Sequence, residues 1–377
     1  MMMKAKPIGL YVHIPFCLKK CGYCDFCSFS DLDENTRRAY LKRLREEIFR
    51  YRRSEEKIPV DTVFFGGGTP SLLTASEFSE ICSAMRESFE ILSGAEFTVE
   101  ANPKTLTEEK LSSFLSEGVN RISIGLQTIH QNELKILGRI HTFEDFKSSC
   151  QLVSDAGFKN VGIDLMYGIP EQTNESFKET LMTAISFKPT HISAYGLILE
   201  EGTEFWQKRD LLSFPDEEAE CEMYSLATRI LSENGYNHYE ISNYARPGFE
   251  SRHNLKYWRG EEFVGVGVAA YSYYNGARYG NSRTLSEYLS ENAEQYVLRE
   301  IIDKDSQAYE YAMLRLRLSE GFSLAEYKSR FGSDFLSGRE EKISKLSRGG
   351  YLTVSNGKIA LTERGFYVSN AILTELL

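Results

Sequence analysis

The alternation of short β-branched runs with longer amphipathic segments constrains the fold of this chain more than any other feature. Apolar runs of strand length recur at 8–14, 62–65, 96–100, 121–126, 161–166 and 191–197. Segments with helical periodicity lie near 35–53, 107–117, 142–156 and 175–187. A capping box from Thr74 to Glu77 opens a further helix. Repeated βα units predict an α/β fold, here an incomplete parallel (β/α)6 barrel that is open on one side.

Residues that are unusual in a solvated loop fall at the same end of the predicted strands. In chain order these are a group of cysteines, Gly66-Gly-Gly-Thr-Pro-Ser71, Glu100, Gln127, Asp164 and Tyr195-Gly196. Barrels of this kind place their chemistry at the carboxyl ends of the strands. Each residue alone is a weak signal, but together they predict a functional site at this edge.

The cysteines follow the first strand in Tyr11-Val-His-Ile-Pro-Phe-Cys17-Leu-Lys-Lys-Cys21-Gly-Tyr-Cys24. This C-x3-C-x2-C spacing lets one loop direct three sulfurs at one point. On a [4Fe–4S] cluster, three thiolates leave one iron open to a small molecule. A zinc site is the alternative, with Cys27 or His13 as its fourth ligand.

Composition sets broad limits on the class of protein. Hydrophobic residues make up 42% of the 377 residues and charged residues 26%, which is typical of a globular protein. No apolar run approaches the roughly 18 residues of a membrane span, and the N-terminus lacks the features of a secretory signal. The seven cysteines indicate a reducing, cytoplasmic location rather than a disulfide scaffold.

Beyond the barrel, helix 215–233 and strand 236–241 precede a glycine-spaced run at 265–270. From about residue 286 a helix pair is followed by a hairpin around Asn356-Gly357 and a final helix from Glu363 to Leu377. This pattern predicts a small α+β, winged-helix-like domain. We therefore expect a barrel at 1–235, an extension at 236–285 and the C-terminal domain at 286–377.

Taken together, the motifs are similar to those of the oxygen-independent coproporphyrinogen III oxidase family of radical S-adenosylmethionine (SAM) proteins. The resemblance rests on Tyr-x-His-Ile-Pro-Phe-Cys, Gly-Gly-Gly-Thr-Pro and Asp-Leu-x-Tyr-Gly-x-Pro, and it covers nearly the whole chain. Within the family, the chain resembles the heme chaperone branch. The resemblance implies a radical SAM barrel whose [4Fe–4S] cluster binds SAM at its open iron and can cleave it to a deoxyadenosyl radical.

Site residues follow from the resemblance by position. It implies that Cys17, Cys21 and Cys24 ligate the cluster. It implies cofactor-binding roles for Tyr11, Gly67, Gly68, Thr69, Glu100, Gln127, Arg139 and Asp164. The alternatives are a plain tight turn for the glycines, a structural ion pair for Glu100 and a solvated surface position for Arg139. Gln127, Arg139 and Asp164 match positions around a second SAM in the oxidases, and simple lining of the pocket is their alternative.

Two departures separate this chain from the oxidases. At the position of the oxidases' fourth cysteine, two residues after the third, this chain has Phe26, as in the chaperone branch. Cys27 lies one place further along and its role stays open. Only 16 residues precede Cys17, too few for the extension that covers the oxidase active site.

A motif outside the predicted barrel strands favours the chaperone branch. His253-Asn254-x-x-Tyr257 matches an H-N-x-x-Y motif that this branch associates with heme binding. An imidazole is a good axial ligand for heme iron and a phenolate can be one; a hydrogen-bonded histidine in an ordinary loop is the alternative. The resemblance thus implies heme binding and delivery. The alternative function is coproporphyrinogen III dehydrogenase (oxidase) activity in porphyrin biosynthesis, and whether the protein is an enzyme stays open.

The expected partners are heme, an unidentified heme-acceptor protein and an electron donor. A net charge of -10 argues against nucleic acid or an anionic membrane as the main partner. We expect no transmembrane segment, and peripheral membrane contact stays open.

Overall fold

A run of parallel strands forms the centre of the computed structural model, which describes residues 6–53, 56–290 and 296–377. In chain order these strands are β1 (Ile8–Ile14), β2 (Ile58–Gly67), β3 (Phe89–Ala101), β4 (Arg121–Gln127), β5 (Asn160–Tyr167) and β6 (His191–Gly196). Each strand pairs in parallel with the next one along the chain. This is the order of an incomplete (β/α) barrel, so the predicted fold is confirmed.

Shorter strands extend the same sheet at both edges. Beyond β6 lie two antiparallel strands, β7 (Asn237–Glu240) and β8 (Asn243–Ala245), with β8 next to β6. Beyond β1 lie β9 (Phe263–Val266), β10 (Tyr271–Tyr274), β11 (Ala277–Gly280) and β12 (Leu298–Ile301), of which β9 is parallel to β1. The segments on both sides of residue 285 thus join the barrel sheet, and the domain boundaries stay a prediction.

Helices connect the barrel strands, and two more follow the last of these strands. They are α1 (Glu34–Phe49), α2 (Ala75–Ser88), α3 (Glu108–Ser116), α4 (Gln131–Ile136), α5 (Phe143–Asp155), α6 (Asn174–Ser186), α7 (Glu204–Gln207) and α8 (Glu217–Glu233). Thr74 opens α2 with the predicted capping box, and Thr142 and Thr173 open α5 and α6 in the same way. The first helix ends at Phe49 and not at residue 53. Among the described residues, no helix has the length and apolarity that crossing a membrane requires.

Alternation along the strands separates an apolar outer face from a polar lumen. On β1, Leu10, Val12 and Ile14 belong to the buried core, whereas Tyr11 and His13 point to the opposite face. The lumen also holds buried polar residues of the other strands: Thr62, Glu96, Thr98, Arg121, Ser123 and His191. A barrel interior of this polarity suits ligands and hydrogen-bonded side chains more than apolar packing alone.

Helix α9 (Arg252–Arg259) lies across the inner face of the first three strands. A Cβ at Gly9 of β1 would lie 3.1 Å from the Lys256 side chain and 3.2 Å from the His253 ring. The Glu96 carboxylate of β3 accepts hydrogen bonds from the backbone amides of Arg252 and His253, at 2.9 and 3.0 Å. A carboxylate at a helix N-terminus is stabilising, so Glu96 fixes α9 inside the barrel.

The C-terminal region follows a short helix, α10 (Leu285–Leu289). Its elements are α11 (Lys304–Arg315), β13 (Phe322–Ser323), α12 (Leu324–Phe331), α13 (Glu340–Arg348), β14 (Leu352–Ser355), β15 (Lys358–Leu361), α14 (Glu363–Tyr367) and α15 (Ser369–Leu376). The hairpin is confirmed, and Asn356 and Gly357 both have the positive φ that its two-residue turn requires. The single final helix was wrong: it breaks at Val368, because α14 packs on β15 while α15 packs on α13.

Candidate functional site at the carboxyl ends of the strands

The cysteine loop begins directly after β1. Its two ends are held together by backbone hydrogen bonds from Phe29 to Pro15, at 2.7 Å, and from Cys17 to Phe29, at 3.0 Å. Cys17, Cys21 and Cys24 are half-buried free thiols. Burial raises the pKa of Cys17 and Cys24, and each is also raised by the charge of Cys21 nearby. Cys17 and Cys24 are thus both close enough to Cys21 to be affected by its charge, and bound iron would favour the thiolate forms of all three.

Cys27 and His13 do not complete a zinc site. The Cys27 thiol donates to the Arg283 carbonyl at 3.2 Å. Both ring nitrogens of His13 are hydrogen-bonded, one to the Tyr11 hydroxyl at 3.0 Å and the other to the Cys27 carbonyl at 2.8 Å. Within residues 6–53, 56–290 and 296–377, no three His, Cys, Asp or Glu side chains converge on a single metal position. The zinc alternative therefore gains no support.

The glycine run at the end of β2 is packed against the cysteine loop. A Cβ at Gly67, which has a φ of 109°, would lie 2.5 Å from the His13 ring. At Gly68 it would lie 2.7 Å from the Phe16 carbonyl oxygen. Thr69 follows, with its hydroxyl 3.7 Å from the Cys17 sulfur and accepting from Asn102 at 2.8 Å. Close approach of the chain to itself thus explains the glycines, and their predicted contact with a ligand stays a prediction.

The carboxyl groups of Glu100 and Asp164 are both buried in the lumen, and the Asp164 charge acts on Glu100. Burial, and then the Asp164 charge, raise the pKa of Glu100 to about 8, against a hydrogen bond from the Gly67 amide. Asp164 accepts hydrogen bonds from Ser123 at 3.1 Å and from Ser193 at 2.8 Å. No basic side chain of the described chain lies within ion-pair distance of Glu100, so the ion-pair alternative has no partner there. Glu100 thus holds a proton at neutral pH in this state.

Arg139 lies against the cysteine loop, and Gln127 is the last residue of β4. One Arg139 nitrogen is 3.7 Å from the Cys21 sulfur and another donates to the Gly125 carbonyl at 3.2 Å. Its Nε atom is buried without a hydrogen-bond partner among the described residues. Gln127 has a φ of 67° and accepts from the Tyr195 hydroxyl at 2.8 Å. A solvated surface position for Arg139 was therefore wrong, because its guanidinium lies against a predicted cluster ligand.

The H-N-x-x-Y motif lies in the barrel lumen. The His253 ring is 1% exposed and is hydrogen-bonded at Nδ1 to the Thr62 hydroxyl and at Nε2 to the Tyr257 hydroxyl, both at 2.8 Å. Its ring centroid is 5.2 Å from that of Phe64 and 6.4 Å from that of Tyr11. Burial, with some help from nearby cations, lowers the pKa of His253 to about 3, so the imidazole is neutral.

This arrangement leaves His253 without a free nitrogen for iron. The alternative for His253 was a hydrogen-bonded histidine in an ordinary loop. It is wrong in part, because His253 is hydrogen-bonded as expected but belongs to a helix. Burial raises the pKa of Tyr257, so its hydroxyl is protonated and is not a phenolate. Asn254 is half-buried at the start of the helix, and its backbone amide donates to the Ser251 cap. Axial ligation by the motif therefore requires a different position of α9.

Several residues that hold the site together were not predicted from the sequence. Thr62 and Asn102 each make one of the hydrogen bonds that fix a predicted site residue. His13 was considered only as a zinc ligand, although alternation along β1 places it on the same face as Tyr11. That alternation was the available signal for His13. No signal in the sequence identified Thr62 as the partner of a residue 191 positions away.

Comparison with known families and proteins agrees with this geometry. The sequence profile of the Radical SAM superfamily matches residues 11–184, from β1 to α6, and that of the HemN C-terminal domain matches residues 302–368. The first match spans the cysteine loop, the glycine run and the polar ends of β3, β4 and β5, and it stops before β6. Membership of the radical SAM superfamily implies a [4Fe–4S] cluster and SAM as cofactors.

Similar proteins match from end to end. Heme chaperone HemW of Lactococcus lactis is 37% identical, over all of this chain and 98% of the relative. Heme chaperone HemW of Escherichia coli is 32% identical, over 99% of this chain and 98% of the relative. The solved structure of coproporphyrinogen III oxidase (HemN) from E. coli superposes with a TM-score of 0.86 over 99% of this chain and 90% of that one. At 23% identity, this last match shows a common fold alone. The chain belongs to the heme chaperone HemW family of radical SAM proteins.

Proposed function

We propose that this protein binds heme and delivers it to an acceptor protein, with a [4Fe–4S] cluster and SAM bound in its barrel. The observation that carries the proposal is the end-to-end similarity, at 37% identity, to a protein named as a heme chaperone. The structure adds a second point in its support. Phe26, at the position of the oxidases' fourth cysteine, is 67% exposed and has no atom that could bind iron.

The residues at the strand ends fit the two barrel cofactors. Cys17, Cys21 and Cys24 would hold the cluster, with Thr69 and Arg139 as neighbours of two of the sulfurs. A guanidinium beside a thiolate stabilises its negative charge. When bound, the cluster supplies the electron that reductive cleavage of SAM requires. These residues support cluster binding through their position alone, and their roles are part of the proposal.

The proposed SAM pocket lies beside the cysteine loop, between the ends of β1 and β5. Polar or glycine positions assigned to it are Tyr11, Gly67, Gly68, Glu100, Gln127 and Asp164. Tyr11 is anchored by His13, which also binds the carbonyl of Cys27. That chain of contacts ties the predicted SAM contact on β1 to the end of the cysteine loop. A cationic sulfonium would find two buried carboxyl groups near it in this lumen.

For heme, the H-N-x-x-Y motif is the proposed binding element, and the structure describes it in a closed arrangement. The His253 ring is hydrogen-bonded at Nε2 to the Tyr257 hydroxyl and at Nδ1 to the Thr62 hydroxyl. Ligation of heme iron would require these hydrogen bonds to be exchanged for an iron–nitrogen bond. Heme ligation by this motif would therefore need His253 and Tyr257 in a second arrangement, which is part of the proposal.

The acceptor protein and the electron donor are further parts of the proposal, and a cytoplasmic location stays a prediction. The competing function is oxidation of coproporphyrinogen III, which the shared fold with HemN permits. Fold alone does not carry that chemistry, because one fold hosts many functions.

The test is the content of one sample purified and reconstituted without oxygen. Iron, sulfide, SAM and heme are measured after incubation with equimolar SAM and hemin. The proposal predicts four irons per chain, SAM bound to the same chains and stoichiometric heme with a shifted Soret band. A fully loaded cluster with bound SAM but no heme retained on the protein would contradict the chaperone assignment.

A further inference from the structure

A cleft lies on the far side of α9 from the barrel lumen, between α9, the edge strands and the C-terminal helices. Its volume is about 210 Å³. Aromatic and arginine side chains dominate its lining: Tyr257, Phe263, Tyr273, Tyr311, Arg278 and Arg330. None of its lining residues belongs to the cysteine loop, the glycine run or the ends of the barrel strands. The cleft is thus separate from the proposed SAM pocket.

Aromatic side chains give the cleft its apolar walls. Tyr257 and Phe263 meet edge to face, with ring centroids 4.6 Å apart. Leu314 of α11 also belongs to the apolar part of the lining. Tyr257 has two roles in this geometry, because its hydroxyl binds His253 in the lumen while its ring forms a wall of the cleft. A molecule in the cleft therefore touches the H-N-x-x-Y motif directly.

The charges at the cleft leave one cation available. Arg278 is paired with Glu310 at 2.7 Å and with Glu300 at 3.0 Å. Another acidic residue of the lining, Glu261, is paired with Lys256 at 3.1 Å. Arg330 is exposed at the rim and lies over the Tyr311 ring at 5.2 Å, and in the described parts of the chain no carboxylate comes within ion-pair distance of it. An anionic group at the rim would find Arg330 free to bind it.

We propose that this cleft seats one edge of the heme macrocycle, with a propionate bound by Arg330. The inference rests on the proposed function and names the place where heme docks. About 210 Å³ is below the roughly 300–1,000 Å³ that encloses a drug-sized ligand, so the rest of the porphyrin stays outside the cleft. An exposed edge is what transfer to an acceptor requires. Docking here also brings heme against Tyr257, the residue that holds His253 closed.

Two substitutions test the cleft without touching the barrel site. Leu314→Trp fills the apolar part of the cleft, and Arg330→Gln removes the rim charge. Arg348→Gln, on an exposed position of α13, is the matched control for loss of one positive charge. Heme affinity is measured by titrating the reconstituted full-length protein with hemin and following the Soret band. Metal-free protoporphyrin IX is the second probe, since a cleft that binds the ring edge does not depend on iron.

We expect Leu314→Trp to weaken hemin binding at least about tenfold and Arg330→Gln about three- to tenfold, with Arg348→Gln unchanged. Leu314→Trp and Arg330→Gln should weaken the binding of protoporphyrin IX by the same factors as the binding of hemin. Iron content and SAM affinity should remain those of the wild type. If Leu314→Trp loses cluster or SAM binding, its effect on folding is shown, and Arg330→Gln alone decides.

The outcomes separate the two proposals. Wild-type protein that binds hemin while Arg330→Gln and a folded Leu314→Trp bind it equally well would overturn the cleft and leave the chaperone assignment intact. Wild-type protein that binds no hemin would overturn the chaperone assignment and the cleft with it.

Discussion

Replacing His253 with alanine is expected to destabilise the barrel itself. The imidazole is 1% exposed and joins three elements, because it is hydrogen-bonded to Thr62 of β2, is bonded to Tyr257 within α9 and packs near Tyr11 of β1. Alanine removes both hydrogen bonds and leaves a void the size of the ring. The effect should therefore appear in a protein without any cofactor.

The magnitude follows from the two groups left without partners. A buried donor or acceptor that loses its partner costs about 1–3 kcal/mol, so Thr62 and Tyr257 together account for about 2–6 kcal/mol. Incomplete collapse around the void adds to this. We expect a loss of about 3–6 kcal/mol in the free energy of unfolding, a large share of the roughly 5–15 kcal/mol typical of a folded protein.

The loss should also depend on pH in a defined direction. The pKa of His253 is lowered to about 3, below the roughly 6.5 of an unfolded chain. Between these values the unfolded state binds the extra proton, so the stabilising contribution is complete above about pH 6.5 and falls as the pH is lowered. The difference between wild type and His253→Ala should shrink by about 1.4 kcal/mol per pH unit below that point.

Denaturant unfolding of the cofactor-free proteins measures both quantities. Asn254→Ala is the control, since it changes the neighbouring motif residue on the same helix, whose side chain is half-buried. We expect a change below about 1 kcal/mol for the control. If His253→Ala unfolds within 1 kcal/mol of wild type at neutral pH, the closed lumen pair is not the state of the protein in solution.

Three further predictions concern the barrel site. Cys24→Ala should abolish the [4Fe–4S] absorption. Cys27→Ala should retain it, because the Cys27 thiol is hydrogen-bonded to a backbone carbonyl. Equal losses of iron in the two variants would refute the ligand set. Gly68→Ala should lower cluster loading, because its Cβ would lie 2.7 Å from the Phe16 carbonyl oxygen, and wild-type iron content would contradict this contact. SAM affinity should increase as the pH rises through about 8, because Glu100 ionises there. Calorimetry should find no such pH dependence in Glu100→Gln. A pH dependence retained in that variant would assign the ionisation to another group.

Much of the barrel could be predicted because its signals are local. The strands are β-branched runs, and four of the predicted residues, Glu100, Gln127, Asp164 and Tyr195, occur toward the edge that parallel strands share. Helix α4 was not predicted, because its six residues are too few to show a helical period. The break between α14 and α15 at Val368 was not predicted for another reason. It depends on which surfaces α14 and α15 pack against, and sequence periodicity does not contain that information.

For the H-N-x-x-Y motif on α9, the residue types could be predicted from the sequence but their position in the fold could not. The sequence identified His253 and Tyr257 as a pair with the chemistry of heme ligands. It did not predict that α9 crosses the lumen, because that position depends on Glu96 and Thr62, which are far away in the chain. The chemistry of side chains can be predicted from spacing, whereas their accessibility depends on contacts that only the folded chain defines.

An assay for conversion of coproporphyrinogen III by the reconstituted protein tests most directly whether the protein is a heme chaperone or an oxidase. The assay runs without oxygen, with SAM, a reductant and a cluster-loaded sample whose heme binding has been measured. We predict stoichiometric binding of heme and no protoporphyrinogen IX above the level of a Cys17→Ala control. Protoporphyrinogen IX formed over many turnovers, and absent in that control, would contradict this prediction and identify the protein as an oxidase.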